Sequence, residues 1–118
     1  MQARLRTKEV VLMIVRIFQA TTHPGKEAEF SEFFHNTAIP MMRTTPGIVA
    51  LLPCAPRPDH PRNFGFVMVW ESLDALKAFV GEDYDAPHID PDEAELVQWR
   101  SIHHYTLVED GATYPSAH

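Results

Sequence analysis

Seven histidines and one cysteine supply most of the side chains that could titrate near neutral pH in this chain. A free imidazole titrates at about pH 6.5, which suits it to take or give a proton under working conditions. His103 and His104 are neighbours in a run, Ile102 to Val108, that reads as a strand. Adjacent strand residues leave opposite faces, so these two imidazoles cannot serve one site. One faces a cavity and the other the far side of the sheet, and the sequence leaves open which. His104 is the first candidate for a general base; the competing reading is a buried histidine that keeps a structural hydrogen bond. His35 falls on the flank of a helical stripe, where a boundary histidine is the plain alternative to a catalytic one. His88 precedes a short helical segment and could close a pocket mouth, or simply occupy a loop. His23, His60 and His118 lie in loops or the tail and receive no role. No HExxH or comparable spacing occurs, so no metal site built from the protein is expected. Cys54 reads as a small apolar residue, and a lone cysteine forms no intrachain disulfide.

Phe34, Phe66, Trp70 and Phe79 could wall a flat aromatic cavity, shaping it rather than doing chemistry; rows of aromatics at such spacing also make ordinary core. The elements that must position these residues are clearest in Asn63 to Gly81. Phe64, Phe66, Met68 and Trp70 alternate with Gly65, Val67 and Val69, the period of a strand with two apolar faces. Ser72 has the chemistry of a helix N-cap, Leu73, Leu76, Phe79 and Val80 keep helical spacing, and Gly81 is a stop. Val10 to Phe18 is a first, β-branched-rich strand, also apolar on both sides, which implies cover on both. Arg4, Arg6 and Lys8 ahead of it superficially suggest a signal peptide, but Arg16 interrupts the apolar run and no small-residue cleavage pattern follows. Lys26 to Arg43 reads as one helix with Phe30, Phe33, Phe34, Ala38 and Met41 along its stripe, kinked or ended by Pro40. Ile48 to Leu52 is a second strand stopped by Pro53. The proline-rich stretch 55–62 is an irregular, stiff excursion, and Asp90 caps a short helix running to about Gln98.

The order is β-α-β-β-α-β, an α+β ferredoxin-like fold with a four-stranded antiparallel sheet and both helices on one face. The other face would be left apolar, which a monomer rarely exposes, so a homodimer is expected. At 118 residues the chain holds one domain, 10–108, between a loose extension, 1–9, and a tail, 109–118. The net charge of -6 argues against a nucleic-acid surface, and no run approaches the ~18 apolar residues of a membrane span. A single cysteine fits a reducing, cytoplasmic setting.

Five stretches carry a resemblance: MIVRIF in strand one, HPGKEAEF opening helix one, IPMMRTTPGIVA closing it, VMVWESLDALKAFVGED, and HHY at His103 to Tyr105. Together they are similar to the antibiotic biosynthesis monooxygenase family of dimeric α/β barrels, across Val11 to Val108. The resemblance implies a cavity between sheet and helices, which in relatives binds flat, polycyclic or quinol-like molecules; a small aromatic or quinol-type molecule is the expected ligand here. It also implies oxygenation by dioxygen with no metal, flavin or other cofactor, and places His104 at the family's HY position. Haem-degrading relatives carry an asparagine on strand one and a tryptophan in helix two, where this sequence has Val15 and Phe79. The alternative function is a non-catalytic ligand-binding or stress-associated barrel, and a third is an isomerase or lyase using one histidine as base.

Overall fold

The alternation in Asn63–Trp70 decides the architecture, because every even residue from Phe64 to Trp70 is buried. In the computed structural model, which describes residues 11–86 and 91–108, this strand is β3. It pairs with β2 (Ile48–Cys54) on one side and β1 (Ile14–Thr22) on the other, and β4 (Val97–Thr106) completes the sheet in the order β2-β3-β1-β4. All pairings are antiparallel. The helical layer consists of α1 (Glu27–Phe33), a π-helical turn (Phe34–Ala38), α2 (Ile39–Arg43) and α3 (Leu73–Val80), with the short α4 (Pro91–Ala94) before β4. This is the ferredoxin-like arrangement. Its core joins Phe30, Phe34 and Ile39 of the first helical run to Phe64, Phe66, Met68 and Trp70 of β3 and Leu76 of α3.

Several elements differ from their sequence-based bounds. β1 begins at Ile14 and continues through Thr22, past the expected end at Phe18. Two partners account for this: Gln19 to Thr21 pair with Gly65 to Asn63 on one side and Ser101 to Trp99 on the other. Central pairing thus overrides the turn-forming tendency of Thr21 and Thr22. β2 runs through Pro53 to Cys54, which an edge strand tolerates because one side of its backbone has no partner strand. β4 starts at Val97, so α4 ends at Ala94. The first helix is not uniform. Ile39 donates its N–H to Phe34 O, a bond one residue longer than the α-helical one, just ahead of Pro40. A proline ring presses on the carbonyl four residues earlier, here Asn36, and the widened turn gives it room. The extra residue rotates the remainder of the helical run, so Ile39 joins the core while Met41 is 45% exposed.

Ser72 caps α3 as its chemistry suggests, its Oγ accepting from Ala75 N at 3.0 Å. Gly81 ends that helix at φ 98°. Gly47, at φ 95°, lies where a Cβ would come within 2.8 Å of Ala75 Cβ, so the turn into β2 presses directly on α3 and on Trp70. The strand faces separate cleanly. Ile14, Arg16, Phe18 and Ala20 share the helix side with Met68 and His104, while Val15, Ile17, Val67, Val69, His103 and Tyr105 share the open side. On that open side Leu52, Trp99 and Tyr105 are all more than half exposed in the single chain. The expected extension 1–9, the tail 109–118, His88, His118 and the Asp90 cap lie outside the described residues.

Candidate functional site

The one charged residue in β1 lies at the centre of the helix-side layer. Arg16 is 5% exposed, although its neighbours along that face are Ile14 and Phe18. Its Nη1 donates to the carbonyl oxygen of Tyr84 at 3.1 Å and lies 2.9 Å from His104 Nε2. A guanidinium has no lone pair to offer, so Nε2 is the acceptor and the imidazole proton must sit on Nδ1. There it meets Asp85 Oδ1 at 2.8 Å. The result is a directed chain: the Asp85 carboxylate accepts from His104, and His104 accepts from Arg16. The Tyr84 ring stands edge-on to the imidazole, with centroids 5.1 Å apart at 72°.

Burial weighs most on both cationic forms in this chain. It pushes His104 below its ordinary pKa of 6.5; the hydrogen bond to Asp85 works the other way, and the Arg16 charge adds to the lowering. Burial also lowers the Arg16 pKa, against the attraction of Asp85. His104 is therefore a neutral acceptor at neutral pH, and its tautomer is dictated by the groups on either side. No hydrogen bond among the described residues uses Arg16 Nε or Nη2.

Arg16 forms part of the wall of a cavity of about 180 Å³ between sheet and helices. Phe18, Phe66 and Met68 supply the sheet side, and Phe33, Met41, Met42, Phe79 and Val80 the helical side. Glu93 of α4 also borders it, with its Oε2 accepting from Arg100 Nε at 3.1 Å. The space is thus apolar over most of its wall, with Arg16 and Glu93 as its charged members.

Of the residues singled out from sequence, Phe66 and Phe79 line this cavity, and His104 reaches it through Arg16. Phe34 is buried behind the wall, its ring 4.8 Å from that of Phe66, and the lining position falls to Phe33. Trp70 is fully buried and packs on Phe79 at 5.4 Å, backing the wall from behind. His103 pairs with Ile17 on the open side of the sheet and does not reach the cavity. His35 is exposed on the helix exterior, its Nδ1 2.9 Å from Ser31 O, so helix geometry turns it away. Arg16, Asp85 and Glu93 were not marked by sequence reasoning. A signal for Arg16 existed: a lone charge inside a strand apolar on both faces must be paired, and it shares parity with the core-facing Phe18. Among the described residues no group of three or more His, Cys, Asp or Glu side chains could hold a metal ion, and no helix is long and apolar enough to cross a membrane.

The family model for antibiotic biosynthesis monooxygenase matches residues 13–84, more than half of the chain. Comparison with curated proteins gives no match. Solved structures share the fold. A Shewanella oneidensis protein superposes with a TM-score of 0.68 at 20% identity, over 83% of this chain and 93% of its own. A Caulobacter crescentus protein named as a candidate antibiotic biosynthesis monooxygenase gives 0.62 at 22% identity, over 84% and 92%. A heme-degrading protein of Mycobacterium tuberculosis gives 0.57 at 19% identity, over 88% and 100%.

Proposed function

Because this chain belongs to the antibiotic biosynthesis monooxygenase family, we propose that it is a cofactor-independent monooxygenase of a small aromatic or quinol-type molecule, acting as a homodimer. The observation that carries this reading is the buried Arg16 guanidinium in a mostly apolar wall, held in place by His104. A quinol hydroxyl placed against that cation is acidified, because its oxyanion is stabilised where water is scarce. The proton leaves through the cavity mouth. The quinolate gives one electron to dioxygen; the resulting superoxide and semiquinone join at a ring carbon as a peroxide, which regains a proton. Loss of water then leaves a hydroxyquinone. The balance is quinol plus dioxygen to hydroxyquinone plus water, with all four electrons drawn from the substrate, so no external reductant is needed.

In this scheme Arg16 is the group that touches substrate. His104 is a positioning residue, since its Nε2 lone pair is already directed at Arg16, and Asp85 fixes its tautomer. The homodimer is supported by the apolar open face of the sheet, where Leu52, Trp99 and Tyr105 are exposed in one chain. That same engagement of Nε2 favours a second reading, a ligand-binding protein without turnover, because among the described residues no histidine presents a free lone pair to the cavity. Oxygen uptake with one-ring quinols decides between them. The expected result is one dioxygen consumed per hydroxyquinone, one labelled oxygen atom in the product, and loss of uptake in Arg16→Met. Binding without uptake in the wild type would leave the second reading.

A further inference from the structure

We infer that the cavity selects a single-ring aromatic carrying one acidic oxygen, bound as the monoanion on Arg16, and turns away both polycyclic ligands and dianions. The inference uses the cavity of the proposed function but concerns only what it binds. Size sets the first limit. A dry cavity of about 150 Å³ takes up benzene. The cavity here, at about 180 Å³, has room for one ring and a small substituent. It cannot extend past Phe79, because Trp70 fills the space behind that ring without exposure to solvent. Phe33, Phe66 and Phe79 are among the aromatic members of its lining, against which a flat ring would pack.

Charge sets the second limit. Arg16 is buried, yet the carboxylate that attracts it, Asp85, is joined to it through His104 and is 75% exposed at the surface. A buried cation whose counter-charge stands in water is poorly compensated, and an anionic oxygen at Nε or Nη2 would supply what is lacking. Glu93 sets the upper bound. Its carboxylate also borders the cavity and is paired with Arg100, whose side chain is equally buried. A second negative charge on the ligand would share the cavity with the Glu93 carboxylate, so one acidic group is favoured and two are not.

Calorimetric titration of the wild-type protein at pH 7.5, under anaerobic conditions, tests this with benzoate, its neutral isostere benzyl alcohol, the dianion phthalate and the three-ring 9-anthroate. Benzoate is expected to bind at least tenfold more tightly than each of the other three. In Arg16→Met the benzoate advantage over benzyl alcohol should disappear. If Arg16→Met does not fold, imidazole nitrogen spectra of the wild type replace it: benzoate should move the His104 Nε2 resonance and leave that of His35 unmoved. Benzyl alcohol binding as tightly as benzoate, anthroate or phthalate matching benzoate, or a His104 resonance indifferent to benzoate would each overturn the inference. The two readings fail separately. Benzoate binding with no quinol-dependent oxygen uptake refutes the proposed function alone, whereas uptake with polycyclic quinols and no benzoate binding refutes this inference alone.

Discussion

Protonation of His104 should release Arg16, the cation in the cavity wall. At neutral pH the imidazole accepts from Arg16 at 2.9 Å and donates to Asp85 at 2.8 Å. Adding a proton to Nε2 sets two donors against each other. The new repulsion from Arg16 and the new attraction to Asp85 act over nearly equal distances, each about 4 kcal/mol for unit charges 4 Å apart near a protein surface, so they largely cancel. What does not cancel is the lost charged hydrogen bond, worth about 1.5–3 kcal/mol. Binding or turnover that depends on Arg16 should therefore fall about ten- to a hundredfold on acidification. The midpoint should lie below 6.5, because burial holds His104 under its ordinary value. The sign for stability is the same. The unfolded chain binds the proton more readily than the folded one, so this contribution is complete above about pH 6.5 and is lost as pH falls through the lower, folded-state value. Long-range nitrogen–proton spectra of the imidazoles report both the tautomer and the titration. Asp85→Asn should move the midpoint further down, since Asp85 raises the pKa, and Arg16→Met should move it up. A neutral His104 carrying its proton on Nε2, or a midpoint at or above 6.5, would refute the chain of hydrogen bonds as drawn.

Other perturbations address the frame. Val69→Asp, on the open side of β3, should abolish association in sedimentation, at a cost of about 3–5 kcal/mol if an interface would bury the charge unpaired; a mutant that sediments as wild type would contradict the assembly. Gly47→Ala adds a Cβ at 2.8 Å from Ala75 and forces an alanine to φ 95°, so a loss of about 1–3 kcal/mol is expected in chemical denaturation. Ser72→Ala removes the acceptor for Ala75 N and should cost about 1 kcal/mol, read from the same denaturation curves. Phe79→Ala opens the cavity wall toward Trp70, and 9-anthroate should gain affinity relative to benzoate in titration.

The fold was legible because its signals are local and periodic. The alternation in β3, the Ser72 cap and the Gly81 stop each declare themselves within a few residues, and the structure keeps all three. Boundaries set by partners were not legible. Nothing local says that strands on both sides will hold Thr21 extended or that β4 will hold Thr22, and nothing in Phe34 to Ala38 announces a π turn except the proline two residues on. The site was legible in part. Opposite faces for His103 and His104 followed from strand geometry, but which face held the cavity depended on register with Arg16 and Met68. Asp85 could not be found from sequence at all. It lies 19 positions from His104 in an irregular stretch, and only the path of the chain after α3 brings it to the imidazole.

The parity of β1 and β4 has a further consequence. Arg16 and His104 lie on the cavity side of the sheet, while Val15, Ile17, His103 and Tyr105, their immediate neighbours in sequence, face the other way. A sheet is one chain thick, so adjacent codons answer to different demands. Divergence at even positions of these strands can retune what the cavity accepts and leave the outward surface intact. Divergence at odd positions can rewrite that surface and leave the cavity intact. A lineage built on this sheet is free to change its chemistry and its associations independently, one substitution at a time.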